Sequence, residues 1–146
     1  MIAIVVASVA LPRIKHPFSG GWKANVARSQ LGLNHLFQSI VLVIEIIPDG
    51  VLLTSVETDL AGEEQSHTRK IRPDNKEYVV YNDPGVVEIA RWDSPHILVE
   101  AVKKDGQVIR QSRYEISDDE STLTVTVQYR ESNGEQLEEV IRFELE

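Results

Sequence analysis

The sequence predicts an all-β protein, a single antiparallel up-and-down β-barrel of about eight to ten strands. Three observations predict this class. From residue 38 onward, runs rich in β-branched residues recur about every ten positions. Turn-forming Gly, Pro, Asn and Asp residues separate these runs. The links are too short for the crossovers that parallel strands need, so neighbouring strands should pair antiparallel.

Taken in chain order, the first strand is expected at 19–25, and a longer link over 26–37 has room for one or two helical turns. Nine further strands are expected at 38–47, 51–59, 64–72, 77–82, 86–93, 96–104, 107–117, 122–131 and 136–146. Asp105-Gly106 is the strongest hairpin signal between them. Strands joined in hairpin order leave two unpaired edges unless the sheet closes on itself, which favours a barrel over the alternative, a two-sheet sandwich.

Composition limits the classes of partner. The chain has 146 residues, enough for one domain with a real core, and a formal net charge of −8. That charge disfavours nucleic acid and anionic membrane as partners, because both select for clustered Lys and Arg. The chain contains no cysteine, which excludes disulfides, thiolate metal sites and cysteine nucleophiles.

The sequence divides into an N-terminal extension, 1–15, and a barrel domain, 16–146. The apolar residues 1–10 are too few to span a bilayer and lack the basic region of a signal peptide. Ser8-Val9-Ala10 is nevertheless a small-x-small ending of the kind that signal peptidase accepts. The extension is therefore either the remnant of an export signal or a short strand ahead of the domain, and both a cytoplasmic and a periplasmic or secreted location stay open.

Sequence motifs for catalysis and metal binding are missing. The four histidines, at 16, 35, 67 and 96, do not fall at metal-ligand spacings, and no cofactor fingerprint occurs, so neither a metal nor a cofactor is predicted. The chain has no Gly-x-Ser-x-Gly elbow. An enzyme that uses Glu100, His67 or Tyr114 as an acid or base in the barrel lumen is the least favoured hypothesis.

The leading hypothesis is non-covalent binding of a small, partly apolar ligand in the lumen. Strand 107–117 places Arg110 and Tyr114 on one face among aliphatic residues, and Tyr129 shares a face with the aliphatic residues of the next strand. If these faces point inward, the three side chains form the polar end of a ligand site. Arg69 and Tyr78 are further candidates.

The rival hypothesis is a structural or protein-interaction barrel whose interior is filled by side chains. In that case Arg110 lies outside in a cross-strand pair and Tyr114 only packs. An arginine inside an apolar lumen is costly unless it is paired, and a buried partner such as Glu100 would give it a structural role.

Several stretches resemble one family. Gly20-Gly21-Trp22, the following hairpins and the stretch VTVQYRESNGEQLEEVIRFE resemble the lipocalin-like (calycin) β-barrel superfamily, which includes the fatty-acid-binding proteins. The W-K-x-N-x-x-x-S spacing of Trp22, Lys23, Asn25 and Ser29 is similar to that of uncharacterised bacterial lipocalin-like proteins. The resemblance covers about residues 16–146.

The resemblance implies that Trp22 packs beneath a basic side chain of the final strand, at Arg142, and closes the narrow end of the barrel. A guanidinium over an indole gains about 0.5–2 kcal/mol. The chain departs from the fatty-acid-binding proteins in two places. Its first link is shorter than their helix pair, and Arg142-Phe143-Glu144 lacks their Arg-x-Tyr clamp for anions. A fatty-acid ligand is therefore not implied.

Overall fold

The computed structural model describes residues 15–32, 35–80 and 82–146. It contains ten strands: β1 (Gly20–Gln30), β2 (Ser39–Ile47), β3 (Gly50–Thr58), β4 (Glu64–Ile71), β5 (Tyr78–Val79), β6 (Val86–Ser94), β7 (Ile97–Lys104), β8 (Gln107–Ile116), β9 (Thr122–Arg130) and β10 (Gln136–Leu145). No described residue is helical, so the described chain offers no helix that could cross a membrane. The extension predicted over 1–15 lies outside the described residues, except for Lys15.

All strands belong to one antiparallel sheet with the order β4-β3-β2-β1-β10-β9-β8-β7-β6-β5. The first strand therefore pairs with the last, which confirms the predicted all-β antiparallel class. The sheet is not closed, however. In the part of the chain that the structure describes, no hydrogen-bonded ladder joins β4 to β5, and these two strands are its edges.

The edge strand β5 is much shorter than the predicted run 77–82. The chain between β4 and β5 follows β6 only through isolated contacts, an Asp74–Arg91 bridge and a hydrogen bond from the Asn75 amide to the Ala90 carbonyl at 2.8 Å. Pro73 lacks an amide hydrogen for a ladder, and Asn75 has a φ of 61°. These two residues keep the link before the predicted run irregular, and at the other end of the run Asn82, with a φ of 63°, lies in the turn to β6.

The first strand is longer than the predicted 19–25, because a wide bulge carries it past residue 25. Asn25 pairs with Arg142 and Gln30 with Val140, so β1 advances five residues while β10 advances two. The Ser29 hydroxyl holds this bulge: it donates to the Asn25 carbonyl at 2.7 Å and accepts from the Arg142 amide at 2.9 Å. Two of the four residues in the W-K-x-N-x-x-x-S spacing thus stabilise a local distortion of the strand.

The lower end of the barrel, where β1 begins and β10 ends, is filled by apolar side chains. Trp22 is fully buried there, together with Phe18, Leu98, Leu123 and Phe143. The Trp22 indole Nε1 donates to the Phe18 carbonyl at 3.0 Å. The side chains at this end therefore form the core of the domain.

The predicted pairing of Trp22 with Arg142 is wrong. Phe143 faces the buried interior, as Trp22 does. Arg142 is the preceding residue of β10, so its side chain lies on the opposite, outer face of the sheet. The Arg142 guanidinium instead donates to the Arg28 carbonyl at 2.6 Å. Among the described residues the cation–π contact is that of Arg72 over Tyr78, 4.7 Å from the ring centroid. The Trp22 indole instead bonds the carbonyl of Phe18, in the turn before β1.

We expect Trp22→Ala to lower the free energy of unfolding by about 3–5 kcal/mol, because it leaves a large cavity in the filled end of the barrel. Chemical denaturation monitored by circular dichroism measures this change. Trp92→Ala is the control, since Trp92 lies at the same end but is only partly buried, and it should cost less. Equal losses in the two variants would contradict a core role for Trp22.

Candidate ligand-binding site

The lumen has a packed lower half and a polar upper half. The inward-facing side chains of β4 are identified by their register: Arg69 lies opposite Leu53, His67 opposite Ser55 and Gln65 opposite Glu57. His67 and Gln65 are exposed although they lie on the same face of the sheet as the buried Leu53. An inward-facing residue that is exposed indicates that the lumen beside it is not filled by side chains.

Three cavities lie along the upper half and the open seam. One of about 430 Å³ lies at the upper ends of β8, β9 and β10 and is lined by residues of both faces, with Arg110 and Tyr129 from the inner face and Gln111 and Gln128 from the outer face. Another, of about 520 Å³, lies beside β3 and β4 and is lined by Ser55, Glu57, Gln65, Ser66 and His67. A small one of about 120 Å³ occupies the gap between β4 and β5, where Tyr78 and Glu100 are among the lining residues.

A buried ion pair forms the polar floor of the upper half. The Arg69 guanidinium donates to both carboxylate oxygens of Glu100, Nη1 to Oε2 at 2.8 Å and Nη2 to Oε1 at 2.5 Å. The Tyr114 hydroxyl donates to Glu100 Oε1 at 2.8 Å and accepts from Arg69 Nη2 at 2.8 Å. Glu100 is only 6% exposed, whereas the Arg69 side chain is 28% exposed. The three groups, which come from β4, β7 and β8, are hydrogen-bond partners of one another.

The electrostatics of this floor fix its ionisation. Burial acts to raise the pKa of Glu100, but the hydrogen bonds and charge of Arg69, with the Tyr114 hydroxyl, outweigh burial and hold that pKa below its usual value. Burial raises the pKa of Tyr114, and the Glu100 charge raises it further. Burial acts to lower the pKa of Arg69, but the Glu100 carboxylate more than compensates and the pKa is raised. At neutral pH the floor is an ionised pair with a neutral phenol.

The structure divides the five predicted ligand-contact residues into three places. Arg69 and Tyr114 meet at the floor. Arg110 and Tyr129 lie opposite each other on β8 and β9, nearer the upper end, with Arg110 exposed and Tyr129 half-buried. Tyr78 lies on the edge strand β5, where its hydroxyl bonds the Asp74 carboxylate and its ring lies under Arg72.

The sequence suggested Glu100 as the buried partner of an arginine in the lumen and left open which of the two candidates, Arg69 or Arg110, this is. The structure pairs Glu100 with Arg69, from the opposite wall. Arg110 shares the face of Ser112 and Tyr114, so the alternation was read correctly, yet no salt bridge to Arg110 is found among the described residues. A choice between two arginines depends on which strands face each other across the lumen.

The sequence analysis missed a second polar cluster near the upper end. His35, in the link after β1, lies between two carboxylates: Nδ1 is 2.6 Å from Glu139 and Nε2 is 3.1 Å from Glu57. The Gly32 amide also donates to Glu139, at 3.1 Å. Because the two carboxylates meet different ring nitrogens, they do not surround one point, and no metal-binding group of three His, Asp or Glu residues occurs among the described residues. The sequence signal for this cluster was Glu139, a glutamate at a position of β10 that shares the inward face with Ile141 and Phe143.

A single antiparallel sheet of ten strands, with its first strand beside its last and one filled end, defines an up-and-down β-barrel fold. Several solved structures of other proteins share this fold. The fluorescent protein UnaG, wild type, matches with a TM-score of 0.54 and 16% identity over 88% of this chain and 97% of that one. Zebrafish ileal bile acid-binding protein in complex with cholic acid matches with a TM-score of 0.55 and 15% identity over 89% of this chain and 99% of that one.

At these identities the likeness shows the fold alone. It agrees with the resemblance to the calycin superfamily, while the narrower resemblance to a bacterial group stays a prediction. No family model matches the sequence, and no curated protein matches it.

We expect the Arg69–Glu100 pair to behave as one unit in a double-mutant cycle. Arg69→Met or Glu100→Leu alone should cost about 3–5 kcal/mol, because the first leaves the buried Glu100 carboxylate unpaired and the second leaves the partly buried Arg69 guanidinium unpaired. The double variant should cost less than either single variant. Urea denaturation of the four proteins measures the coupling, and additive losses would contradict the pairing.

The same pair should make stability depend on pH in the acid range. The pKa of Glu100 is lower in the folded protein than in the unfolded chain. The stabilisation is therefore fully present above about pH 4.5 and is lost as the pH falls through the folded-state pKa. We expect the free energy of unfolding of the wild type to fall more steeply below that pH than that of the Arg69→Met/Glu100→Leu variant. Urea denaturation between pH 7 and pH 3 compares them, and parallel curves would contradict this assignment.

Proposed function

We propose that this protein binds a small, partly apolar molecule non-covalently in the upper half of its lumen. The observation that carries the proposal is the exposure of residues that face inward, namely Gln65, His67 and Arg110. Side chains fill the lower half but leave the upper half open. The cavities beside these residues, about 430 and 520 Å³, fall in the range of about 300–1,000 Å³ typical of ligand pockets.

The lining offers both kinds of contact that such a ligand needs. Val108 and Leu137 line the cavity of about 430 Å³ and provide apolar surface. Arg69 and Tyr114 present the polar floor, and Arg110 and Tyr129 are the proposed contacts nearer the mouth. The cholic acid complex of the zebrafish neighbour supports ligand binding in a barrel of this fold in general.

The floor favours binding over catalysis. A general acid or base works best with a pKa near the operating pH. The pKa of Glu100 is lowered and that of Tyr114 is raised, so both move away from neutrality. In addition, both groups already have hydrogen-bond partners within the protein. These features support a binding protein rather than an acid–base enzyme.

Ser55→Trp tests the location of the ligand. Ser55 faces the lumen and lines the cavity beside β3 and β4, so an indole there should occupy the upper half. We expect at least about a tenfold loss of affinity, or about 1.4 kcal/mol, for the neutral fluorophore N-phenyl-1-naphthylamine. Fluorescence titration measures the affinity, and native mass spectrometry of gently purified protein measures any ligand that co-purifies.

The matched control is Thr54→Trp. Thr54 is the preceding residue of the same strand, and its hydroxyl contacts Thr68 on the outer face at 2.9 Å. This variant should bind the fluorophore as the wild type does. Equal losses in both variants would place the binding outside the lumen. A wild type that binds no apolar probe and retains no ligand would favour the rival hypothesis of a structural barrel.

A further inference from the structure

The arrangement around Glu100 is that of a carboxylate receptor already occupied from within the protein. A planar guanidinium that donates two parallel hydrogen bonds is the geometry by which proteins recognise carboxylates. Arg69 provides this fork from β4, and Tyr114 adds a hydroxyl donor from β8. The carboxylate bound between them belongs to Glu100, a residue of β7.

We propose that Glu100 determines the ligand class of this lumen: its carboxylate occupies the Arg69–Tyr114 receptor, so that the lumen takes uncharged ligands and excludes carboxylates and other anions. This inference rests on the proposed lumenal binding and names the chemistry of its ligand. An anion that entered would have to displace a tethered carboxylate whose hydrogen bonds are made at no cost in association entropy.

The remaining charges of the upper half act in the same direction. The inward-facing carboxylates are Glu57, Glu88, Glu100 and Glu139, while the inward-facing guanidinium groups are Arg69 and Arg110. The carboxylates therefore outnumber the guanidinium groups by two, and the imidazole of His35 lies between two of these carboxylates, Glu57 and Glu139. In the partly desolvated lumen, like charges repel more strongly than in bulk water. An anionic ligand is disfavoured even before it reaches the floor.

An uncharged polar ligand still has a partner at this floor. The Arg69 side chain is 28% exposed, whereas Glu100 is almost wholly covered. The guanidinium has five N–H donors on three nitrogens; Nη1 bonds Glu100, and Nη2 bonds both Glu100 and Tyr114. Its exposed edge can therefore donate to a carbonyl, ether or hydroxyl oxygen without any change in the charge of the lumen.

Two fluorophores with the same aromatic skeleton separate the two ligand classes. N-phenyl-1-naphthylamine is uncharged, and 1-anilinonaphthalene-8-sulfonate carries one negative charge. We expect the wild type to bind the neutral probe at least about ten times more tightly than the anionic probe. Equal affinities for the two probes, or a preference for the sulfonate, would overturn the inference. A preference for the sulfonate would overturn it even if the Arg110→Ala variant lost that preference.

Glu100→Ala empties the receptor and should reverse the discrimination. Its affinity for the anionic probe should rise by at least about tenfold, while its affinity for the neutral probe should change much less. Acetate should raise its melting temperature, since a free carboxylate fits where the Glu100 carboxylate was, and should not do so for the wild type. Glu45→Ala removes the same charge from the exposed face of β2 and is the control; it should leave both affinities unchanged.

Glu100→Gln keeps the inference testable if the alanine variant does not fold. Its side chain has the same shape but leaves the Arg69 charge unbalanced, so anionic binding should still rise. A folded Glu100 variant that gains no anionic affinity would overturn the inference. If the wild type binds neither probe but the alanine variant gains the sulfonate, the receptor assignment stands and the proposed function fails.

Discussion

A bidentate ion pair between Arg69 and Glu100 connects the two walls of a sheet that its own backbone leaves open. In the described chain β4 and β5 are edges without a common ladder. Arg69 extends from the edge strand β4 to β7 and β8, where Glu100 and Tyr114 bond it. The backbone closes the barrel between β1 and β10, and these side chains tie its opposite side.

The pair also explains how two charges exist within the barrel. Moving an ion out of water costs several kcal/mol, and the attraction of a partner offsets this cost only when the geometry is good and the remaining lone pairs are satisfied. Glu100 meets both conditions, with two guanidinium bonds and one phenol bond. The described residues contain no buried side-chain nitrogen or oxygen without a hydrogen-bond partner. Near the mouth, Glu57 and Glu139 contact the two ring nitrogens of His35.

The sequence predicted the strands well and the contacts across the lumen poorly. Period-two alternation and turn residues are local signals, and they placed most strands to within one or two residues, with Leu123 and Val125 facing inward. Cross-lumen pairs depend on which strands face each other, and alternation does not encode that. For this reason the sequence suggested Glu100 as the partner of a lumenal arginine but did not indicate that this arginine is Arg69. The Trp22–Arg142 error came from a different source, because the family resemblance implied a partner that the alternation around Phe143 excludes. The bulge held by Ser29 was missed because its hydrogen bonds join two strands distant in sequence.

A shared fold does not determine the chemistry of the ligand in this case. The neighbour with bound cholic acid matches over nearly its whole length at 15% identity. The two chains therefore share the path of the backbone, while most of their inward-facing side chains can differ. In a barrel, a few such side chains set which charges a ligand meets. Here a guanidinium faces the lumen, and from composition alone it would suggest an anionic ligand. Its charge, however, is already balanced by Glu100 at hydrogen-bond distance. The presence of an arginine in a lumen is therefore a weaker guide to ligand charge than the identity of the group that its guanidinium already binds.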